Sequence, residues 1–341
     1  MTIGRIATAL AEFGAAFWRR VSGHAAKLRW AVPMAVLGIS CACDVAQVTR
    51  IGTNVWPGYE PLYLARNLGY LDKEKFKLVE YSSARDVSRA FANGSIEIAA
   101  LTLDETLLLL QRGVPLKVFL VTDISNGADT IVAQAGIKGI EDLKGKRVAV
   151  EIGAVGSYVL RRALEKHGIS AADVTVVPLS PDEHADAFES GAVDAAVTFE
   201  PVRTKLLSLH GTEVFSSREI PDEVVDVLVV QTGYAAAHPE LLRDLARAWF
   251  KAVDFVQSDP DAAARQMQRR LGISVEEIVA TFPGLKFGDR AENRRFLDGD
   301  TAQLPQTAIT LRDAMMEMGL LKTAPELSNL SSAAALPEAG P

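Results

Sequence analysis

Cysteine is almost absent from this 341-residue chain: Cys41 and Cys43 are the only two. They stand too close together for an unstrained mutual disulfide, and no cysteine framework or Cys-based zinc site can be built from them. The five histidines are scattered without metal-ligand spacing, so no metal or other cofactor is expected. Aromatic residues make up only 7 % and no long basic run occurs, while the formal charge is −7. Nucleic-acid binding needs dense Lys/Arg against phosphate, so that class is excluded. Apolar residues reach 48 %, too many for a disordered chain and enough for about two packed domains.

Long apolar runs are also missing. The longest near the N-terminus, Trp30–Ile39, is about half of the roughly 20 residues that span a bilayer. It follows Arg5, Arg19, Arg20, Lys27 and Arg29, with Glu12 the one acid in the first forty residues. A basic head, a short apolar stretch and a small residue describe an export signal over residues 1–40. Ile39-Ser40-Cys41 resembles a bacterial lipobox, with Gly38 where leucine is usual and Leu37 one position earlier. Cys41 is therefore the expected lipid attachment residue, with 41–47 as linker and an uncleaved amphipathic anchor as the competing reading.

From Val48 onward strands and helices alternate. Val48–Val55, Lys77–Tyr81 and Ile96–Leu101 read as strands. Pro61–Leu68, Arg85–Asn93 and Asp104–Arg112 read as helices, closed by Gly69, Gly94 and Gly113. Shifting by 97 residues superposes a second set. Arg50-Ile51 falls on Arg147-Val148, Ala90-Phe91 on Ala187-Phe188, and Gly94–Glu97 on Gly191–Asp194. Two similar α/β lobes in tandem follow, each a mainly parallel sheet flanked by helices. The run Val224–Gln231 is a further strong strand, after which the pattern is helical, with Leu241, Leu245, Ala248 and Trp249 spaced for one face. The economical topology returns the chain to the first lobe there. Lobe one is then 48–130 with 225–327, lobe two is 131–224, and Thr130–Gln134 and Val224–Gln231 are two hinge strands. The Ala/Ser/Pro-rich residues 328–341 read as a disordered tail.

Val55–Arg66, Gly94–Ala99, Asp142–Val148, Gly153–Ser157 and Phe199-Glu200-Pro201, in this order and spacing, resemble ABC-transporter solute-binding proteins of the nitrate/sulfonate/taurine type. The resemblance runs from about Val48 to Leu321. It extends to thiamine-precursor binding proteins and their synthase relatives. It implies a two-lobed periplasmic-binding-protein-like (type II) fold that captures a small solute and passes it to the permease and ATPase subunits of an importer. A monomer, exported and held to the membrane by a lipid anchor, completes that picture.

Ligands of open α/β sheets sit beyond the carboxyl ends of the parallel strands. The candidate ligand-binding residues are therefore Trp56, Tyr59, Thr102, Asp104, Asp123, Gly156, Ser157 and Glu200. Gly153–Ser157 before a helix offers free N–H groups to an anion, or serves as an ordinary turn and cap. Trp56 and Tyr59 flank a Pro-Gly turn that projects them as a pocket wall. The acids Glu60, Asp104, Asp123 and Glu200 would repel a simple anion and suit an amine or an N–H-bearing heterocycle, unless they only cap helices. A binding module is expected rather than an enzyme. The competing reading is a thiamine-pyrimidine-precursor binding protein or a synthase-like enzyme.

Overall fold

The computed structural model describes residues 48–337, which belong to one compact unit beginning at Val48. The expected export signal, Cys41 with the expected linker 41–47, and the last four residues lie outside them. Among the described residues no helix is long and apolar enough to cross a membrane.

Two sheets organise the chain. The first holds β1 (Thr49–Thr53), β2 (Phe76–Glu80), β3 (Ile98–Thr102), β4 (Leu116–Ser125), β10 (Val225–Gln231) and β11 (Leu285–Phe287), in the order β11-β4-β10-β3-β1-β2. The second holds β5 (Thr130–Ala133), β6 (Arg147–Val150), β7 (Thr175–Pro178), β8 (Ala195–Thr198) and β9 (Thr212–Ser216), in the order β7-β6-β8-β5-β9. Sheets flanked by helices in two lobes make this a periplasmic-binding-protein-like α/β fold.

The structure departs from the sequence reading in three respects. The sheets are mixed rather than mainly parallel: β1, β2 and β3 run parallel, but β10 enters antiparallel between β3 and β4, and β5 pairs antiparallel with both β8 and β9. The chain changes sheets beside the expected hinge strands, not within them. Thr130–Ala133 is wholly a strand of the second sheet and Val225–Gln231 of the first, so the passages are 126–129 and 217–224. The C-terminal stretch is ordered through residue 337. Val118 N donates to Leu330 O (2.7 Å), Ser332 N donates to Val118 O (2.9 Å), and Leu330 is buried.

The 97-residue repeat is visible atom by atom. Ile51 pairs with Ile98 and Gly52 with Ala99; in the second sheet Val148 pairs with Ala195 and Ala149 with Ala196. Each first strand carries an arginine clamped at the same place. The Arg50 backbone N–H and Nε donate to Glu97 Oε2, while Nη2 reaches Gly94 O. The Arg147 backbone N–H and Nε donate to Asp194 Oδ2, and Nη2 reaches Gly191 O. These bonds tie the turn that ends one helix and begins the next strand to the neighbouring parallel strand.

The helices that matter for the cleft begin at strand ends. They are α1 (Glu60–Asn67), α2 (Ala84–Ala92), α3 (Leu103–Gln111) and α4 (Val155–Lys166). Next come α5 (Pro181–Glu189), α6 (Val202–Ser208), α7 (Thr232–Ala237) and α8 (Pro239–Ser258). Ser180 and Glu183 form a reciprocal capping box at the start of α5. On α8, Leu245, Ala248, Trp249, Ala252 and Val256 make one apolar stripe buried against the first lobe. The Trp249 indole N–H, at the centre of that stripe, donates to Gly288 O (2.9 Å).

Candidate functional site

The carboxyl ends of β1 and β3 face those of β6 and β8 across the boundary between the sheets. A cavity of about 20 Å³ lies there, lined from one side by Asn54, Trp56, Tyr59, Thr102, Glu105 and Asp226, and from the other by Asp129, Glu151, Val155 and Phe199. That volume holds about one water molecule, so a larger solute enters only when the lobes part.

The aromatic wall is fixed by carboxylates. Trp56 Nε1 donates to Asp123 Oδ2 at 3.2 Å and the Tyr59 hydroxyl donates to Asp226 Oδ1. Trp56 meets Phe199 of the other lobe edge to face, with ring centroids 5.5 Å apart. The Pro57-Gly58 turn admits no side chain at its second residue: a Cβ on Gly58 would lie 2.0 Å from Asp123 Oδ2. Sheet register sets the carboxylates side by side, for Asp226 on β10 stands opposite Thr102 on β3 and Asp123 on β4.

Glu105 closes the cleft. Its Oε2 accepts from Thr102 N (3.0 Å), capping its own helix α3, and its Oε1 accepts from Val155 N (3.1 Å) at the start of α4 in the opposite lobe. Of the Gly153–Ser157 N–H groups expected to seat a ligand anion, that of Val155 is therefore taken by a carboxylate of the protein itself, and Ser157 N donates to Ala154 O. Glu151 makes the reverse crossing, its Oε1 accepting from Arg85 N at 2.9 Å.

The acids of the cleft are held out of water, and their protonation reflects it. Burial pushes Asp123 up to about 8, against the pull of the Trp56 hydrogen bond. Burial raises Asp129 to about 7, opposed by Ser125. Asp226 is raised well above the carboxylate range, by burial first and then by Asp123 and Asp129; Glu105 is raised too, by burial and then by Asp104 and Glu151. Glu151 is raised by burial, with the backbone of Arg85 opposing. Lysine, arginine and histidine side chains are absent from the cavity lining among the described residues.

Trp56, Tyr59 and Thr102 are thus brought together as expected, with Asp123 behind Trp56. The other four candidates are not at the cavity. Glu200 is buried and committed elsewhere: Oε1 accepts from Arg203 Nη1 (3.0 Å) and Oε2 from Thr204 N (3.0 Å), so it caps α6. Gly156 packs inside the first turn of α4 toward Val150 and Val197, and the Ser157 hydroxyl donates to Glu151 O (3.2 Å). Asp104 and Ser157 line a separate, larger groove of about 620 Å³ between α3 and α4, walled also by Arg112, Arg161, Met315 and Lys322. Burial raises Asp104 to about 6, opposed by the Thr102 hydroxyl. Glu60 turns away and pairs with Arg270 (3.0 Å).

Phe199, which follows β8, also lines the cavity, as do Asn54, Glu105, Asp129, Glu151 and Asp226, five residues not singled out as ligand-binding by sequence. Asp226 carried a signal, an acid within an otherwise apolar strand, and Glu151 directly follows β6.

Two lobes that meet around a polar, aromatic-walled cavity, each built on the same strand–helix plan, define the class of solute-binding proteins. Within that class the chain belongs to the NMT1/THI5 like family, matched over residues 56–263. It is 27 % identical over 227 residues to the taurine-binding periplasmic protein of Escherichia coli (strain K12), covering 65 % of this chain and 71 % of that one. It is 25 % identical over 262 residues to the 4-amino-5-hydroxymethyl-2-methylpyrimidine phosphate synthase of Aspergillus parasiticus, covering 69 % and 72 %. In fold it resembles the alkanesulfonate-binding protein SsuA from Xanthomonas axonopodis pv. citri bound to MOPS. That match has a TM-score of 0.73 and 21 % identity, over 83 % of this chain and 97 % of that one.

Proposed function

We propose that the chain is the extracytoplasmic receptor of an ABC importer, closing its two lobes on a small polar solute and presenting it to the permease. The solute is a sulfonate, a taurine-like compound or a nitrogen-containing one. The observation that carries this reading is the cavity shared between the lobes, whose walls are held together across the boundary by single, reversible contacts: Glu105 to Val155, Glu151 to Arg85 and Trp56 to Phe199. Such contacts suit capture and release. The names of the relatives support the same role.

Binding without turnover is the reading for this site. Its polar lining is carboxylate, amide and hydroxyl, groups that receive and orient N–H donors. The synthase relative keeps a thiamine-pyrimidine precursor in view as an alternative solute, and the carboxylates favour it over a plain anion. Cys41 carries the lipid in this proposal, and the receptor acts as a monomer.

Cell fractionation with in-cell crosslinking tests the role. The chain should be recovered outside the cytoplasm, held to membranes, and crosslinked to an importer permease. Cys41→Ser should move it to the soluble extracytoplasmic fraction. Recovery in the cytosol with no permease partner would end the receptor reading.

A further inference from the structure

The cleft carries a charge pattern that narrows the solute further. Glu105, Asp129, Glu151 and Asp226 all line one small cavity, and each is at least nine-tenths buried. A cluster of acids alone says little, since acids also cap helices. The decisive point is which of their atoms are spoken for. Glu105 spends both oxygens on backbone N–H groups, but Asp129 Oδ2, Glu151 Oε2 and Asp226 Oδ2 are buried without a hydrogen-bond partner. So is Asn54 Oδ1, which is not an acid and lines the same cavity. Those four are acceptors, contributed by both lobes, and the fifth unpartnered atom of the lining, the Thr102 hydroxyl oxygen, can accept as well as donate. Buried polar atoms are normally paired, and each unpaired one costs free energy that a matching donor would recover.

The charges around them do not supply that donor. Asp226 faces Tyr59, Asp123, Asp129 and Glu105; Asp129 faces Ser125 and Asp104; Glu151 faces Ser83, Arg85 and Asp86. Of these only Arg85 is cationic; it donates its backbone N–H to Glu151 Oε1, and its guanidinium acts on Glu151 as a nearby charge without a hydrogen bond. Among the described residues no three acids, histidines or cysteines converge closely enough to hold a metal ion. Acceptors spread around a cavity suit a molecule with several separate N–H groups. At the helix starts that face the cleft, the Val155 amide of α4 is bonded to Glu105 and the Arg85 amide of α2 to Glu151, so an anionic ligand there would have to displace a buried carboxylate and then sit beside the others.

Resting on the receptor reading above, we infer that the solute is a compact organic cation bearing several N–H donors, an amine, amidine or guanidine, and not a sulfonate or nitrate. Its N–H groups are received by Asp129, Glu151, Asp226 and Asn54, from both lobes at once. Its body lies against Trp56, Tyr59 and Phe199, whose ring faces favour a cation.

Calorimetry on the purified full chain tests this with two sets of probes: methylguanidine, putrescine and benzamidine against taurine, methanesulfonate and nitrate. At least one cation is expected to bind at micromolar concentration while the sulfonates and nitrate do not. Glu151→Gln and Asp129→Asn should each weaken that cation at least tenfold without lowering the melting temperature. A merely structural role would lower the melting temperature and leave affinity unchanged. Two variants are used so that poor folding of one leaves the other to decide. Tight binding of a sulfonate or nitrate, or no cation binding below millimolar concentration, would overturn the inference. In the first case the receptor reading survives, because a solute is still captured. Failure of that reading would instead show as cation binding with no permease partner in cells.

Discussion

Asp226 sits in a strand whose neighbours are Val225, Val227, Leu228 and Val229, all buried. A lone carboxylate there works against folding: it gives up its hydration and gains one hydrogen bond, from Tyr59. Asp123 in β4 and Asp129 just before β5 are buried as fully, and that burial raises their folded pKa values to about 8 and about 7. The sign follows from linkage. A carboxyl whose folded pKa lies above its unfolded value, near 4, binds more protons folded than unfolded across that interval. Its contribution is fully present below the unfolded pKa and is lost as pH rises through the folded one. The ligand-free protein should therefore melt at a higher temperature near pH 5 than at pH 8. A flat or opposite profile in differential scanning calorimetry would show that these acids carry counter-ions in the folded state. Asp226→Asn keeps the acceptor for Tyr59 and removes the charge. It should raise ligand-free stability by about 1–3 kcal/mol, a gain of several degrees in melting temperature. That variant should also lose solute affinity, the trade expected where a binding group is held at the expense of stability.

At the scale of elements, Glu105 joins two helix starts that belong to different lobes. One carboxylate caps α3 and also faces the N-terminus of α4, and a charge at such a position contributes about 0.3–2 kcal/mol. Glu105→Ala should free the Val155 amide. Hydrogen exchange should speed up at the first turn of α4 while the β6 and β8 amides keep their protection. Slow exchange at Val155 in the variant would mean that closure does not depend on this bond. The same elements show what sequence could and could not reveal. The repeat was legible because its anchors are local: Arg50 with Glu97 and Arg147 with Asp194 hold adjacent strands at one fixed spacing. Trp56, Tyr59 and Thr102 were legible because they lie at the exits of parallel strands. Asp226 and Asp129 were not, because β10 and β5 run antiparallel to their neighbours and present their beginnings, not their ends, to the cleft. No local pattern announces that reversal; it follows from pairing across more than a hundred residues, as between β3 and β10. Glu151 was not legible because nothing in the sequence marks where β6 ends, one residue before it. Glu200 was misplaced because an acid at a strand end can turn back to cap its own helix.

For the whole molecule, the two passages between lobes are laced to each other. Ser217 Oγ accepts from Gly127 N (2.6 Å) and shares a hydrogen bond with Ser125 Oγ (2.8 Å), while Ser217 N donates to Asp129 O (2.9 Å). Gly127 holds φ at +112°, where a side chain is strained, and a Cβ there would meet the Arg218 guanidinium at 2.4 Å. This lacing gives the lobes one axis about which to turn, so motion should be rigid-body opening and closing rather than unfolding of either sheet. Asp129 belongs to that lacing and also lines the cavity, which places solute charge next to the axis. With the acids ionised and no cation between them, like charge across the cleft favours the open form, where water solvates each carboxylate. A bound cation, or protonation, removes that repulsion and favours the closed one. Small-angle scattering at pH 8 should accordingly show a larger radius of gyration for the ligand-free protein than for the protein saturated with a cation that binds. Acidifying the ligand-free protein to pH 5 should shrink it toward the same value. Glu151→Gln combined with Asp129→Asn should narrow the difference between the two pH values, since two of the titrating charges are gone. A radius unchanged by ligand, by pH and by these substitutions would mean that the lobes are fixed in the closed arrangement, and that the carboxylates of the cleft do not govern the hinge.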